Sequence, residues 1–207
     1  MPKVCNCQHG FPQVFALDPL PPSGRMNSGL LKLTCPLLVR AVDELEDDGY
    51  IHRFNEQVAE DAGLQMSILE AHQEHASARI KMLDEQEIED ALKAKLGEQG
   101  SLAFLNSGVA GASSDSVRDV KCLHAWLGDY LFRGAAASPI GDMVAQELSR
   151  KEISLVGDPT CHRFCDPSSS IIVEPPKPRN KQRLRTGKEA ARRKRRRVKE
   201  KANQSSP

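Results

Sequence analysis

The chain has 207 residues, enough for one domain with a tail, and its 39% hydrophobic and 4% aromatic content is too low for a compact core throughout. Its net charge of +1 conceals two parts of opposite sign: fourteen Lys and Arg against two Glu between Lys177 and Lys201 give that stretch +12 and leave the remainder at −11. No apolar run is long enough to cross a bilayer, and no basic start followed by an apolar core marks a secretory leader. Six cysteines in such a chain favour reduced thiols or metal ligands over a disulfide framework.

The predicted elements begin with a short β-compatible run, Pro12 to Leu17, ended by the proline-rich stretch from Asp18 to Gly24. Leu30 to Thr34 is a second strand candidate. Pro36 suits the first turn of a helix, Leu38, Val42 and Leu45 recur at helical spacing, and Gly49 supplies a stop. Cys35 then stands at a helix N-terminus, where the dipole favours a thiolate. From His52 to Gly97 the pattern predicts two or three helices, with His72 and His75 on a partly exposed face. Residues 100–114 read as a small-residue loop. A central helix is expected over Asp115 to Phe132, capped by Ser116 and Asp119 and closed by Gly134. A last helix opens at Ser138-Pro139 and runs to about Arg150. Beyond Val156 proline, serine and charge dominate, so the expected division is a helical domain over 5–155 and a disordered linker and basic tail over 156–207. The fold class is mainly α, with a small N-terminal β or loop element packed on helices.

Three thiol-bearing segments stand out: Cys7-Gln8-His9-Gly10-Phe11-Pro12, Leu33-Thr34-Cys35-Pro36 and Val120-Lys121-Cys122-Leu123-His124. In this order they resemble a mainly bacterial family named for domain of unknown function 501. The resemblance covers about residues 5 to 148 and takes in Ser138-Pro139-Ile140-Gly141, similar to an Asn-Pro-Val-Gly segment of that family. This chain departs from the family at Asp129, where a second histidine is usual, and at Arg25 to Leu30, where a Pro-Phe-Pro segment is usual. The resemblance implies no activity.

Cys7, Cys35, Cys122 and His124 together offer three sulfurs and an imidazole, a set that suits tetrahedral zinc or an iron–sulfur cluster with one non-cysteine ligand. Residues two apart on a helix point about 200° apart. Cys122 and His124 can therefore share an ion only if the helix begins after Cys122 or is distorted there. The alternative is a thiol-dependent redox or transfer enzyme centred on Cys35 or Cys122, with His124 as base. Cys161 and Cys165 form a Cys-x3-Cys half site that lacks a partner pair, and they read as incidental cysteines of an unstructured segment. A third reading rests on the block Arg192 to Arg197, which suits nucleic acid or a nuclear import receptor. It has no aromatic residue for base stacking. The expected location is nuclear or cytoplasmic. An organellar one stays open because Cys5 and Cys7 fall so near the recorded start.

Overall fold

The computed structural model describes residues 4–21, 27, 29–83, 88–115, 120–166 and 168. The described residues all belong to one compact unit. It opens with a three-stranded antiparallel sheet in the order β1 (Val4–Asn6), β2 (Pro12–Ala16), β3 (Leu31–Leu33). Cys5 pairs with Val14, and Val14 pairs in turn with Leu33. The short β1 had no sequence signal of its own. It gains its ladder only from β2, which follows after a tight turn closed by Cys7 N–H donating to the Phe11 carbonyl at 2.9 Å.

Six α-helices follow among the described residues: α1 (Pro36–Asp47), α2 (Tyr50–Glu60), α3 (Ala62–Lys81), α4 (Ile88–Leu105), α5 (Leu123–Arg133) and α6 (Pro139–Arg150). The protein is thus mainly helical with a small N-terminal sheet, as its patterning indicates. Pro36 and Pro139 occupy first-turn positions of α1 and α6, where a missing N–H leaves no bond unmade. Asp61 caps α3 by accepting from the Leu64 amide at 2.9 Å. Helix α4 is broken at Gly97, whose φ of 70° is left-handed.

The middle of the molecule is α5, which packs on α6, α1 and the sheet. Leu123, Trp126 and Leu127 are fully buried against Leu38, Val42 and Leu45 of α1, Ile140, Val144 and Leu148 of α6, and Val14 of β2. Each such side chain withdrawn from water contributes about 1.5–3 kcal/mol. Helices α5 and α6 approach most closely at Gly141: a Cβ there would lie 2.4 Å from the Trp126 carbonyl oxygen and 2.5 Å from Tyr130 Cβ. A smaller cluster of Leu83, Leu92 and Phe104 joins the end of α3 to α4.

Three expectations need correction. The loop expected over 100–114 is partly helix, because α4 runs to Leu105 before a bridge between Ser107 and Ser113 forms around a 3-10 turn, Val109–Gly111. The central helix starts at Leu123, with Cys122 extended (φ −146°, ψ 113°) at its N-cap. Ser116 and Asp119 lie outside the described residues. The boundary expected near residue 155 falls inside the unit, because residues 156–166 fold back on the N-terminal turn. Gln8 N–H donates to the Val156 carbonyl at 2.9 Å, and His9 Nε2 stands 2.7 Å from the Asp158 carbonyl oxygen. The basic stretch 177–207 lies outside the described residues.

Candidate metal centre

Helix α1 ends in a run of carboxylates, and α5 begins beside it. Glu46, in the last turn of α1, turns its side chain away from water and accepts from the Leu123 amide at 2.9 Å. That amide is one of the donors a helix start leaves without an internal partner. The same oxygen, Oε1, stands 3.0 Å from His124 Nδ1. On its other side the ring places Nε2 3.2 Å from the Val39 carbonyl and 3.5 Å from Asp43 Oδ1. Cys122 Sγ lies 4.0 Å from His124 Nδ1. Because Cys122 precedes the helix, the 200° divergence of two residues within a helix does not apply to it.

The electrostatics of this junction follow from the partners. Burial opposes a charge on His124, but the Cys122 sulfur and the Glu46 carboxylate outweigh it and push the imidazole up to about 10. At 4.0 Å the sulfur is at the outer edge of a contact, so the carboxylate at 3.0 Å is the stronger partner. In the metal-free protein at neutral pH both ring nitrogens therefore carry hydrogen, and each donates to an oxygen. An imidazole in that state has no lone pair to accept the Cys122 proton. Among the described residues Glu46, Cys122 and His124 form a group whose ligand atoms all lie within 4.8 Å of one another.

The sequence candidates Cys7, Cys35, Cys122 and His124 fall into two places. Cys122 and His124 meet Glu46 at the far end of α1. Cys35 is the N-cap of the same helix, with its side chain unused in capping. At 1.5 Å per residue, about 16 Å of helix separates Cys35 from Glu46. Cys7 sits in the turn between β1 and β2, beside the segment that carries Cys161 and Cys165. Glu46 was missed in the sequence because it is one of five acidic residues between Asp43 and Asp48, and nothing local marks it as the one turned inward.

Cys161 and Cys165 belong to no unstructured segment. A 3-10 turn, Cys161–Phe164, holds the first, and Cys165 follows at its end with its amide donating to the His162 carbonyl at 2.9 Å. His72 and His75, expected on a partly exposed face, are 0% and 2% exposed. Helix α3 carries polar side chains inward at these positions because fixed partners await them. Val109 N–H donates to His72 Nδ1 at 3.1 Å, and His75 Nδ1 lies 3.2 Å from Asp129 Oδ1. Asp129, fully buried, also takes a bidentate pair from Arg133 at 2.9 and 2.6 Å. Burial alone would raise the Asp129 carboxyl, but its bonds to His75 and Arg133 hold it below the usual range. Burial lowers His75, so the ring is neutral and donates from Nδ1 to the carboxylate. Asp129 is thus the anion of a buried ion-pair network.

The sheet on helices, with a thiol, an imidazole and a carboxylate gathered where two helices meet, describes a mainly α protein with one Glu-Cys-His group at a helix junction. The profile of a family described as "Protein of unknown function (DUF501)" matches residues 3–146, and the chain belongs to that family. The match takes in Cys7, Cys35, Glu46, Cys122 and His124 and stops short of Cys161 and Cys165. No curated protein and no solved structure matches the chain.

Proposed function

We propose that this protein binds a divalent transition metal between α1 and α5, through Glu46 Oε1, Cys122 Sγ and His124 Nδ1. The observation that carries this reading is the mutual approach of the three ligand atoms to within 4.8 Å. The setting of His124 supports it. A ligating histidine ordinarily donates its second ring N–H to a carbonyl or carboxylate, which fixes the tautomer, and Nε2 faces both the Val39 carbonyl and Asp43. One sulfur, one nitrogen and one oxygen suit zinc better than calcium or magnesium, which prefer oxygen alone. Three protein ligands leave the fourth tetrahedral position to water or an outside group. A cluster is less well served, since iron–sulfur centres draw mainly on cysteine and this junction offers a single thiol. The thiol-enzyme reading has less support as well, because His124 has both nitrogens committed in the metal-free state.

Zinc titration of the full chain, with Glu46→Gln and His124→Ala alongside, tests the proposal. Each substitution should weaken binding by about tenfold or more, since even the loss of an outer partner costs that much. Unchanged affinity and stoichiometry in both variants would sink it.

A second reading applies to the tail and is independent of the first. The uninterrupted block Arg192 to Arg197 supports salt-sensitive association with nucleic acid or capture by an import receptor.

A further inference from the structure

The Cys-x3-Cys pair at 161 and 165 needs two more ligands to close a tetrahedral site. The fold brings the segments that carry Cys7 and Cys35 beside it. The segment from Ile153 to Asp166 is built of turns and one 3-10 turn, and it docks against the start of the chain. Gln13 Nε2 donates to the Leu155 carbonyl at 2.6 Å, Gln8 N–H to the Val156 carbonyl at 2.9 Å, and the His9 and His162 rings approach to 5.2 Å. Gly157 lies between the two strands of chain: a Cβ there would meet Cys161 Sγ at 2.9 Å and Gln8 Nε2 at 3.6 Å. Cys161 thus faces the residue next to Cys7. The 3-10 turn also packs on α1, whose N-cap is Cys35.

We infer that Cys7, Cys35, Cys161 and Cys165 form a four-thiolate zinc site, separate from the α1–α5 junction, that pins the 3-10 turn to the N-terminal turn and the head of α1. Three features of these positions suit ligands. Cys7 opens a turn whose fourth residue, Gly10, has a φ of 81°, with Gly10 N–H donating to the Cys7 carbonyl at 3.0 Å. Cys35 has its sulfur at a helix start and makes no capping bond. Cys161 and Cys35 are 4% and 5% exposed, and Cys7 and Cys165 are half-buried, so two of the four proposed ligands are shielded from solvent.

No three of the sulfurs of Cys7, Cys35, Cys161 and Cys165 stand within 4.8 Å of one another, and the six cysteines form no disulfide. Closure on an ion therefore takes side-chain rotation, which moves a cysteine sulfur roughly 3 Å between staggered wells. On binding, each S–H yields its proton to solvent as its S–Zn bond forms, and nothing is oxidised.

Differential alkylation of the reduced full chain, with and without zinc, tests this without any substitution. Zinc should slow modification of Cys7, Cys35, Cys161 and Cys165 by at least about tenfold and leave Cys5 reactive. The double variant Cys161→Ser with Cys165→Ser should lose one zinc per chain and expose Cys7 and Cys35, while the zinc affinity lost in Glu46→Gln stays intact. The inference falls if zinc leaves the modification rates of the four thiols unchanged. It falls equally if protection of Cys7 and Cys35 survives the double variant, or if mass spectrometry of the isolated chain finds the four joined as disulfides without zinc. Should only Cys122 be protected, the junction site stands and this one does not.

Discussion

At the residue scale, His124 is the side chain whose environment most clearly departs from that of a solvated group. Its folded-state value of about 10 exceeds the ordinary 6.5, so its contribution to stability is fully present below 6.5 and is lost as pH rises towards 10. In chelator-treated protein, urea midpoints should therefore decline between those two values, and His124→Gln should flatten the decline. A midpoint that holds constant over that window in the parent chain would show that the ring is not charged. Zinc binding should show the opposite slope, strengthening as pH rises, because metal and proton compete for Nδ1.

Helices α1 and α6 were legible because proline at a first turn and spaced apolar residues agree in both, and Gly49 follows α1. The start of α5 was not legible. Its capping donor is satisfied by Glu46, 77 residues earlier in the chain, and no local pattern encodes so distant a partner. The buried state of His72 and His75 was hidden for the same reason, since Val109 and Asp129 reach them only through the tertiary fold. Of the candidate site, Cys122 and His124 could be read in the sequence, whereas Glu46 and the grouping of the three could not. Cys35 and Cys122 both precede helices, but they precede ends of the molecule that α1 holds apart. Gly141 provides the test at this scale. Gly141→Ala places a methyl group against the backbone of α5, and overpacking of this kind costs about 1–3 kcal/mol. Its thermal midpoint should fall accordingly, although alanine is the better helix former; an unchanged or higher midpoint would show that α5 and α6 can separate freely.

For the whole molecule, charge is divided between an acidic body and a stretch of +12 from Lys177 to Lys201. Counterion release makes such a stretch bind polyanions with steep salt dependence and little base preference. Removing residues 177–207 should abolish salt-sensitive retention on RNA or duplex DNA and leave zinc affinity at the junction unchanged. Retention by the shortened chain at low salt would assign nucleic-acid binding to the body instead. The two proposed metal sites also differ at this scale. The junction joins two helices already packed through Leu45 and Leu123, so an ion there adds little to the fold. The four cysteines join segments whose apolar anchoring is thin: Val156 is 60% and Phe164 43% exposed, and a cross-link matters most where packing is weakest.

One oxygen of Glu46 serves both the first amide of α5 and the imidazole of His124. An arriving cation would draw electron density from that oxygen and loosen its hold on the Leu123 N–H. The Leu123 amide is consequently a built-in reporter. Its nuclear magnetic resonance frequency and its rate of deuterium uptake should register occupancy of the junction from inside the helix, with no label attached to the protein.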